Sequence, residues 1–354
     1  MTMPCFQVPV LCCRPAMLFL ILLFCTQIWG GVDAYAQAGA FARMGFGSRG
    51  VALSNALVAD VYGDASPYYN PALAPFIDRQ NLEATAAILT LDRELQFLQF
   101  VAPLRPRAGV AGGLIHAGVS EIDGRDASGY HTRDYSTDEF AFFLAFGTRL
   151  SRRLTGGFGL QLFQSALLED LSPVRAIGVD VGLAFQATEA LSLGFTADDL
   201  LARYVWDRSS LGGAGGRATD RFPRRLRFGA GYRLEEARTW LFAEYEARIY
   251  TGEFVTRRTE VIVDTPVERT YRELVRMHDG RLRLGAEYRP SVTFALRAGV
   301  DQIGASGVKP SAGFMVEQPV GNLLLRGEYA FMLEPYGTSP MHFITLRLYL
   351  TQEP

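Results

Sequence analysis

Between Asn81 and Leu350 the chain repeats runs in which every second residue is apolar, and this pattern limits its possible folds more than any other feature. Successive side chains of a strand point to opposite faces, so a period of two sorts residues onto the two faces of a sheet, where a helix would need a period of about 3.6. In Arg225 to Leu234 the apolar set is Leu226, Phe228, Ala230, Tyr232 and Leu234, against Arg225, Arg227, Gly229, Gly231 and Arg233. In Arg281 to Arg289 it is Leu282, Leu284, Ala286 and Tyr288, and near the C-terminus His342, Ile344, Leu346, Leu348 and Leu350 alternate with Phe343, Thr345, Arg347 and Tyr349. Such runs predict strands over 82–91, 94–104, 108–119, 138–150, 154–166, 176–187, 190–200, 222–234, 238–250, 280–289, 292–301, 309–318, 322–332 and 341–351. That makes about fourteen, an even number, as single-chain bacterial barrels require. Alternation is weakest in the first three.

The connections carry separate information, because a membrane barrel has short periplasmic turns and longer outer loops. Short links fall at 105–107, 151–153, 188–189, 235–237, 290–291 and 319–321, and longer ones at 120–137, 167–175, 201–221, 251–279, 303–308 and 333–340. With the first strand running outward, every short link is periplasmic and the chain ends on that side.

A soluble sandwich also alternates, but it buries its apolar face and wets the polar one, whereas a barrel turns the apolar face to lipid and holds charge in its lumen. Arg227, Glu244, Glu246, Arg248, Arg283, Glu287, Arg297, Arg326, Glu328 and Arg347 all lie on the parity opposite the apolar set. Both signs occur on neighbouring strands, where they can pair across the sheet. These ten residues are the expected lumen charge network of an all-β, transmembrane antiparallel barrel.

The N-terminus points to export. Arg14 precedes an apolar run from Ala16 to Trp29, followed by Ala34-Tyr35-Ala36, the small-x-small pattern of a signal cleavage site. The run is too short to span a bilayer, so residues 1–36 are expected to be removed, with cleavage after Ala36. All four cysteines, Cys5, Cys12, Cys13 and Cys25, lie in that segment, so the remaining 318 or so residues hold no thiol for a disulfide, metal or nucleophile. A lipidated Cys25 is disfavoured by the bulk of Phe24 before it. The formal net charge of −2, with Lys309 as the single lysine, gives no basic face for nucleic acid.

Before the strands come Ala42-Arg43-Met44-Gly45-Phe46-Gly47, then Val58-Ala59-Asp60, then Asp64-Ala65-Ser66-Pro67-Tyr68-Tyr69-Asn70-Pro71-Ala72-Leu73. This resembles the N-terminal signature of the PorV/PorQ family of outer-membrane proteins, which is related to the FadL-type fatty-acid channels with their Asp-Asp-Ala and Asn-Pro-Ala pattern. The resemblance extends through Val119 to Gly124, Val179 to Leu183 and His342 to Leu350, nearly the whole mature chain. Departures are Val61-Tyr62-Gly63 between the two aspartates, Tyr69 where Trp is common and Leu73 where Gly often follows. The resemblance implies that residues 37–80 form an N-terminal hatch, with Gly39 to Pro75 plugging a barrel of 81–354. Its motif residues are Gly45, Gly47, Asp60, Asp64, Asn70 and Pro71. Physically, Asn70 can cap a turn or short helix with Pro71 at its first position, and Asp64 and Ser66 can bond nearby amides, so local hydrogen bonding is preferred to ligand contact.

No catalytic constellation stands out, and no enzyme activity, cofactor or metal is expected. His116, His131, His278 and His342 are isolated in sequence, without metal-ligand spacing. Glu244 and Glu246 share one strand face, but nearby arginines favour salt bridges over a paired-carboxylate site. Gly212 to Gly216 lacks the lysine and helix of a phosphate loop. The first functional expectation, implied by the resemblance, is a part in type IX secretion. Besides outer-membrane lipid, its partners would be secreted proteins with C-terminal sorting domains and other secretion components, bound or handed on at the cell surface. The alternative is a FadL-like channel for hydrophobic small molecules, and a third class is a purely structural barrel. The many lumen charges lean weakly towards the first or third.

Overall fold

The computed structural model describes residues 38–62, 66–167, 171–207, 216–262, 265–303, 308–321, 323–333 and 340–350. The expected signal segment with its cysteines, Asp64, and Gly212 to Gly215 lie outside the described residues.

Sixteen strands follow in order: β1 (Asn81–Ile88), β2 (Arg93–Leu104), β3 (Ala108–Arg125), β4 (His131–Arg149), β5 (Leu154–Ala166), β6 (Val174–Gln186), β7 (Leu191–Asp198), β8 (Arg203–Asp207), β9 (Arg217–Arg221), β10 (Arg224–Leu234), β11 (Thr239–Ile262), β12 (Thr265–Tyr288), β13 (Phe294–Ile303), β14 (Lys309–Val320), β15 (Leu323–Leu333) and β16 (Pro340–Leu350). Fourteen of them form one closed antiparallel barrel, sealed where β1 pairs with β16 from Asn81↔Tyr349 to Ile88↔His342. Closure leaves no sheet edge in the wall, which a lipid environment demands because nothing there can satisfy a bare amide. Among the described residues β8 and β9 pair with each other alone, and β10 takes its place in the wall beside β7.

The face assignment follows the alternation. On β16, Leu346 is 48% exposed and Arg347 5%, and the same split recurs in Phe142, Leu144 and Phe146 against Ala141, Phe143 and Ala145 on β4. Exposed Leu, Phe, Ile and Val thus make an apolar outer belt, while buried arginines and carboxylates line the inside. An apolar belt around a charged interior is the inverse of a water-soluble protein and suits a barrel wrapped in lipid.

Three long connections differ from expectation. Residues 120–137 and 251–279, read as loops, are largely continuations of strands: β3 and β4 pair as far as Arg125↔His131, and β11 and β12 remain paired to Ile262↔Thr265. Alternation marks a strand only where its two faces meet different solvents. In the β3–β4 extension both faces are largely exposed, so the pattern fades there while pairing goes on. The third, 201–221, holds the β8–β9 hairpin, which brings Tyr204 and Trp206 to buried positions with Phe222 just after it.

The N-terminal segment runs inside the barrel. It comprises a 3-10 turn (Ala40–Arg43), a short helix α1 (Ser48–Ala52) and a second 3-10 turn (Pro71–Phe76), with Leu53, Val58, Ala72 and Leu73 fully buried.

Candidate functional site

The candidate site is the lumen, formed where this segment meets the wall. Its shape is set first by glycines on the inward parity. A Cβ on Gly157 would sit 2.3 Å from the Ala72 nitrogen, one on Gly194 2.2 Å from the Val58 carbonyl oxygen, and one on Gly182 2.0 Å from Asn70 Oδ1. Gly109 and Gly147 face the backbone of Ala74 and Pro71 in the same way. Missing side chains therefore form a seat for the segment's backbone in the periplasmic half of the barrel. Sequence reasoning had placed glycines opposite the apolar set without giving them a role, and their recurrence on one parity was the available signal.

The residues of the hatch motif occupy distinct places. Gly45 (φ 105°) and Gly47 (φ 72°) adopt backbone angles that side chains resist, and a Cβ on Gly47 would also press on Glu83 of β1, 2.5 Å away. Asn70 caps the second 3-10 turn by accepting from the Ala72 amide at 3.0 Å, with Pro71 next in line. Its amide nitrogen donates to the Val58 carbonyl at 2.7 Å and the Leu183 carbonyl of β6 at 3.1 Å, so one side chain ties the turn, the rest of the segment and the wall together. Ser66, expected to bond a local amide, instead donates to Gln99 of β2 at 2.8 Å. Asp60 accepts from Arg49, whose Nε donates to Glu287 of β12 at 2.8 Å.

The expected lumen charges converge on one wall, β10 to β13 with β15, β16 and β1. Arg283 donates to Glu244 at 2.7 Å, Glu246 at 3.0 Å and Asp301 at 3.1 Å. Arg297 joins Glu287 at 2.8 Å to Glu328 at 2.9 Å, Arg248 bonds Glu246, and Arg227 bonds Asp198 at 2.7 Å. Arg326 meets Glu317 at 2.6 Å, and Arg347 meets Glu83 at 2.8 Å. Glu244 also accepts the Val58 amide at 3.1 Å, which fixes the segment to this wall. The acids Glu83, Asp198, Asp199, Asp301 and Glu317 were missed in sequence. Glu83, Asp198, Asp301 and Glu317 are inward residues of their strands and Asp199 directly follows β7, while Glu287 and Glu244 lie directly opposite Arg297 and Arg283, so strand register was the usable signal. A buried charge is tolerated only when paired, and here pairing is nearly complete.

The opposite wall is different in kind. In the outer half of β2 to β6 the inward residues include Leu95, Phe97, Ile115, Phe143, Phe163 and Val174, all buried. Phe97 and Phe143 stack at 6.0 Å, and Tyr68 of the inner segment meets Phe143 edge-on at 5.2 Å. Phe163 contacts Phe222 at 4.7 Å, and Phe222 contacts Tyr204 at 5.0 Å, so the aromatic layer continues into the β8–β9 hairpin. The ten lumen charges expected from sequence all fall between Arg227 and Arg347, and an apolar layer on the facing wall was not anticipated.

The histidines are less isolated than the sequence suggests. His116 lies between Gln96 and Asp138 on the outward face of β2 to β4. At the tip of the β3–β4 hairpin, Asp123, His131 and Asp134 bring ligand atoms within 4.8 Å of one another. There the His131 Nδ1 lies 2.7 Å from Asp123, which also accepts from Arg125. The bond to Asp123 pushes the imidazole pKa up, and the bonds from His131 and Arg125 pull the carboxyl down.

No family model and no curated protein matches the chain. Solved structures do. The toluene transporter TodX of Pseudomonas putida aligns with TM-score 0.57 and 15% identity, covering 86% of this chain and 96% of that one. The toluene transporter TbuX of Ralstonia pickettii aligns at TM-score 0.55 and 15% identity, covering 86% and 97%. A FadL homologue of Pseudomonas aeruginosa gives 0.55 and 12%, covering 86% and 98%. At such identities the likeness is one of fold: a fourteen-stranded barrel of FadL type.

Proposed function

We propose that this protein is an outer-membrane channel that admits hydrophobic small molecules. The observation that carries this reading is the aromatic and aliphatic layer in the outer half of a lumen that is otherwise charged. An apolar lining with a few polar groups is what a binding site for an apolar molecule requires. The same-fold transporters of toluene support the reading, and among the functional expectations drawn from sequence they favour the channel alternative. In this proposal the segment 38–77 is the hatch between the apolar layer and the periplasm, and Asn70 and Arg49 hold it. Uptake of radiolabelled toluene and hexadecane by cells making the protein tests it. The Phe143→Ser, Phe163→Ser double variant should lose uptake while still showing the heat-dependent gel shift of a folded barrel. Undiminished uptake would remove the apolar layer from the mechanism.

A second reading, the handing on of secreted proteins in type IX secretion, has its own support in the β11–β12 ribbon. Its two strands run on for twelve paired positions beyond Tyr250↔Met277, and among the described residues no other strand pairs with them there, which leaves backbone edges an exported chain could add to. Deleting 253–274 should then abolish co-purification of exported proteins and spare hydrocarbon uptake.

A further inference from the structure

The outward face of the wall carries a polar row near the outer end of β2, above the apolar residues of the belt. Glu94 and Gln96 of β2, His116 of β3 and Asp138 of β4 all share the outward parity with Leu98, Leu114 and Phe142. Gln96 Nε2 donates to Glu94 Oε2 at 3.1 Å, which turns its carbonyl oxygen towards His116 Nδ1 at 2.6 Å. His116 Nε2 lies 3.0 Å from Asp138 Oδ1, and the ring stacks on Phe140 at 4.6 Å. Both ring nitrogens face oxygen atoms of the row, so the His116 ring is held between Gln96 and Asp138. What the row has left is acceptor capacity, on the second carboxylate oxygens of Glu94 and Asp138.

Beside it the wall is notched. Ala84 and Ala86 are the small outward residues of β1, between Leu82 and Ile88, flanked by Ile344 and Leu346 of β16 on one side and by Leu98 of β2 on the other. Two missing side chains open a trough of about 500 Å³, with Leu114 also on its wall and Gln96 and His116 at its polar end. That volume matches a small-molecule site. It opens to the membrane, and its polar end lies towards the outer ends of the strands, away from the short turns. An acyl chain is the occupant that continues the lipid around it, and a head seated on two carboxylates must bring donors and shun phosphate.

We infer that this notch binds one outer-leaflet glycolipid, with an acyl chain along β1 and the O–H and N–H groups of an amino-sugar head on Glu94 and Asp138. The inference needs the barrel to sit in lipid but does not depend on what the lumen passes. The test is native mass spectrometry of the full-length protein released from nanodiscs of phosphatidylcholine doped with a glucosamine-headed lipid, alongside nanodiscs doped with hexadecane. The wild type should retain one glycolipid. Asp138→Asn together with Glu94→Gln, or Ala86→Phe, should each lower retention about tenfold, the worth of a charge-assisted hydrogen bond or of a filled trough. Leu162→Phe, on the outward face of β5, should change nothing, and a heat-dependent gel shift shows that each variant folds. Equal retention in all variants, or hexadecane held in place of the glycolipid, would overturn the assignment.

Discussion

The two walls of the lumen solve the same problem in opposite ways. On β2 to β6 the interior is filled by Phe97, Phe143, Phe163 and their neighbours, which need only to fit. On β10 to β13 it is filled by Arg283, Glu244, Glu246, Arg297 and Glu287, each of which needs a particular partner. A wall held by volume should tolerate change in small increments, and a wall held by paired charges should fail steeply when one member goes. The inner segment grips both, bonding Glu287 and Glu244 on the charged side and packing Phe46 and Tyr68 on Phe97 and Phe143 on the other.

The largest expected effect tests that contrast directly. Glu287→Ala leaves Arg49 and Arg297 short of a buried partner and should cost about 3 to 5 kcal/mol, as unpairing a buried ion does. Phe143→Leu should cost about 1.5 kcal/mol or less, in the range of a near-volume hydrophobic swap. Urea titration of the refolded barrel in detergent reads both, and equal costs would erase the distinction between the walls. Next comes the outer surface that the two walls share. Leu346→Arg puts a charge in the belt and should cost about 2 to 4 kcal/mol near the midplane, whereas Arg347→Lys, one residue along, should shift the urea midpoint far less. A reversed order would mean that the faces are assigned backwards.

Gly157→Val addresses the seat of the inner segment. The new side chain would collide with Pro71 and Ala72, and relief by displacing the segment should cost about 1 to 3 kcal/mol. The barrel wall keeps its own hydrogen bonds, so planar-bilayer conductance should rise above that of the wild type. Unchanged conductance with intact folding would show that the segment does not close the lumen. The smallest effect lies at the β3–β4 tip. His131, with its pKa raised, contributes stability that is complete below its unfolded value and is lost as pH rises through the folded one. Asp123, with its pKa lowered, contributes stability that is complete above its unfolded value and is lost as pH falls through the folded one. Hydrogen exchange over 122–135 should therefore be slowest between the usual carboxylate and imidazole ranges and speed up on either side. A profile flat across both would mean that the bond does not form.

Alternation placed fourteen membrane strands, and with the charges of the later strands it told lipid face from lumen face there, because each strand's two sides meet different solvents and the chain encodes that difference residue by residue. The same parity put every expected arginine and glutamate of the network inside. Register, however, decides partners. Nothing local to Arg283 says that Glu244, Glu246 and Asp301 surround it, and Glu83 finds Arg347 only because β1 closes onto β16. The aromatic wall was invisible for a related reason: Phe97 and Phe143 look like lipid-facing residues until the strand is known to turn them inward. Gly157, Gly182 and Gly194 read as spacing glycines until the inner segment is seen against them. The outer continuation of β3 and β4 escaped notice because exposure on both faces removes the alternation that betrays a strand. The sequence by itself thus determined a barrel, its strand count and its two faces, all consequences of local periodicity. Tertiary structure alone decided which charges pair, where the lumen turns apolar and what fills it, since these depend on contacts between residues far apart in the chain.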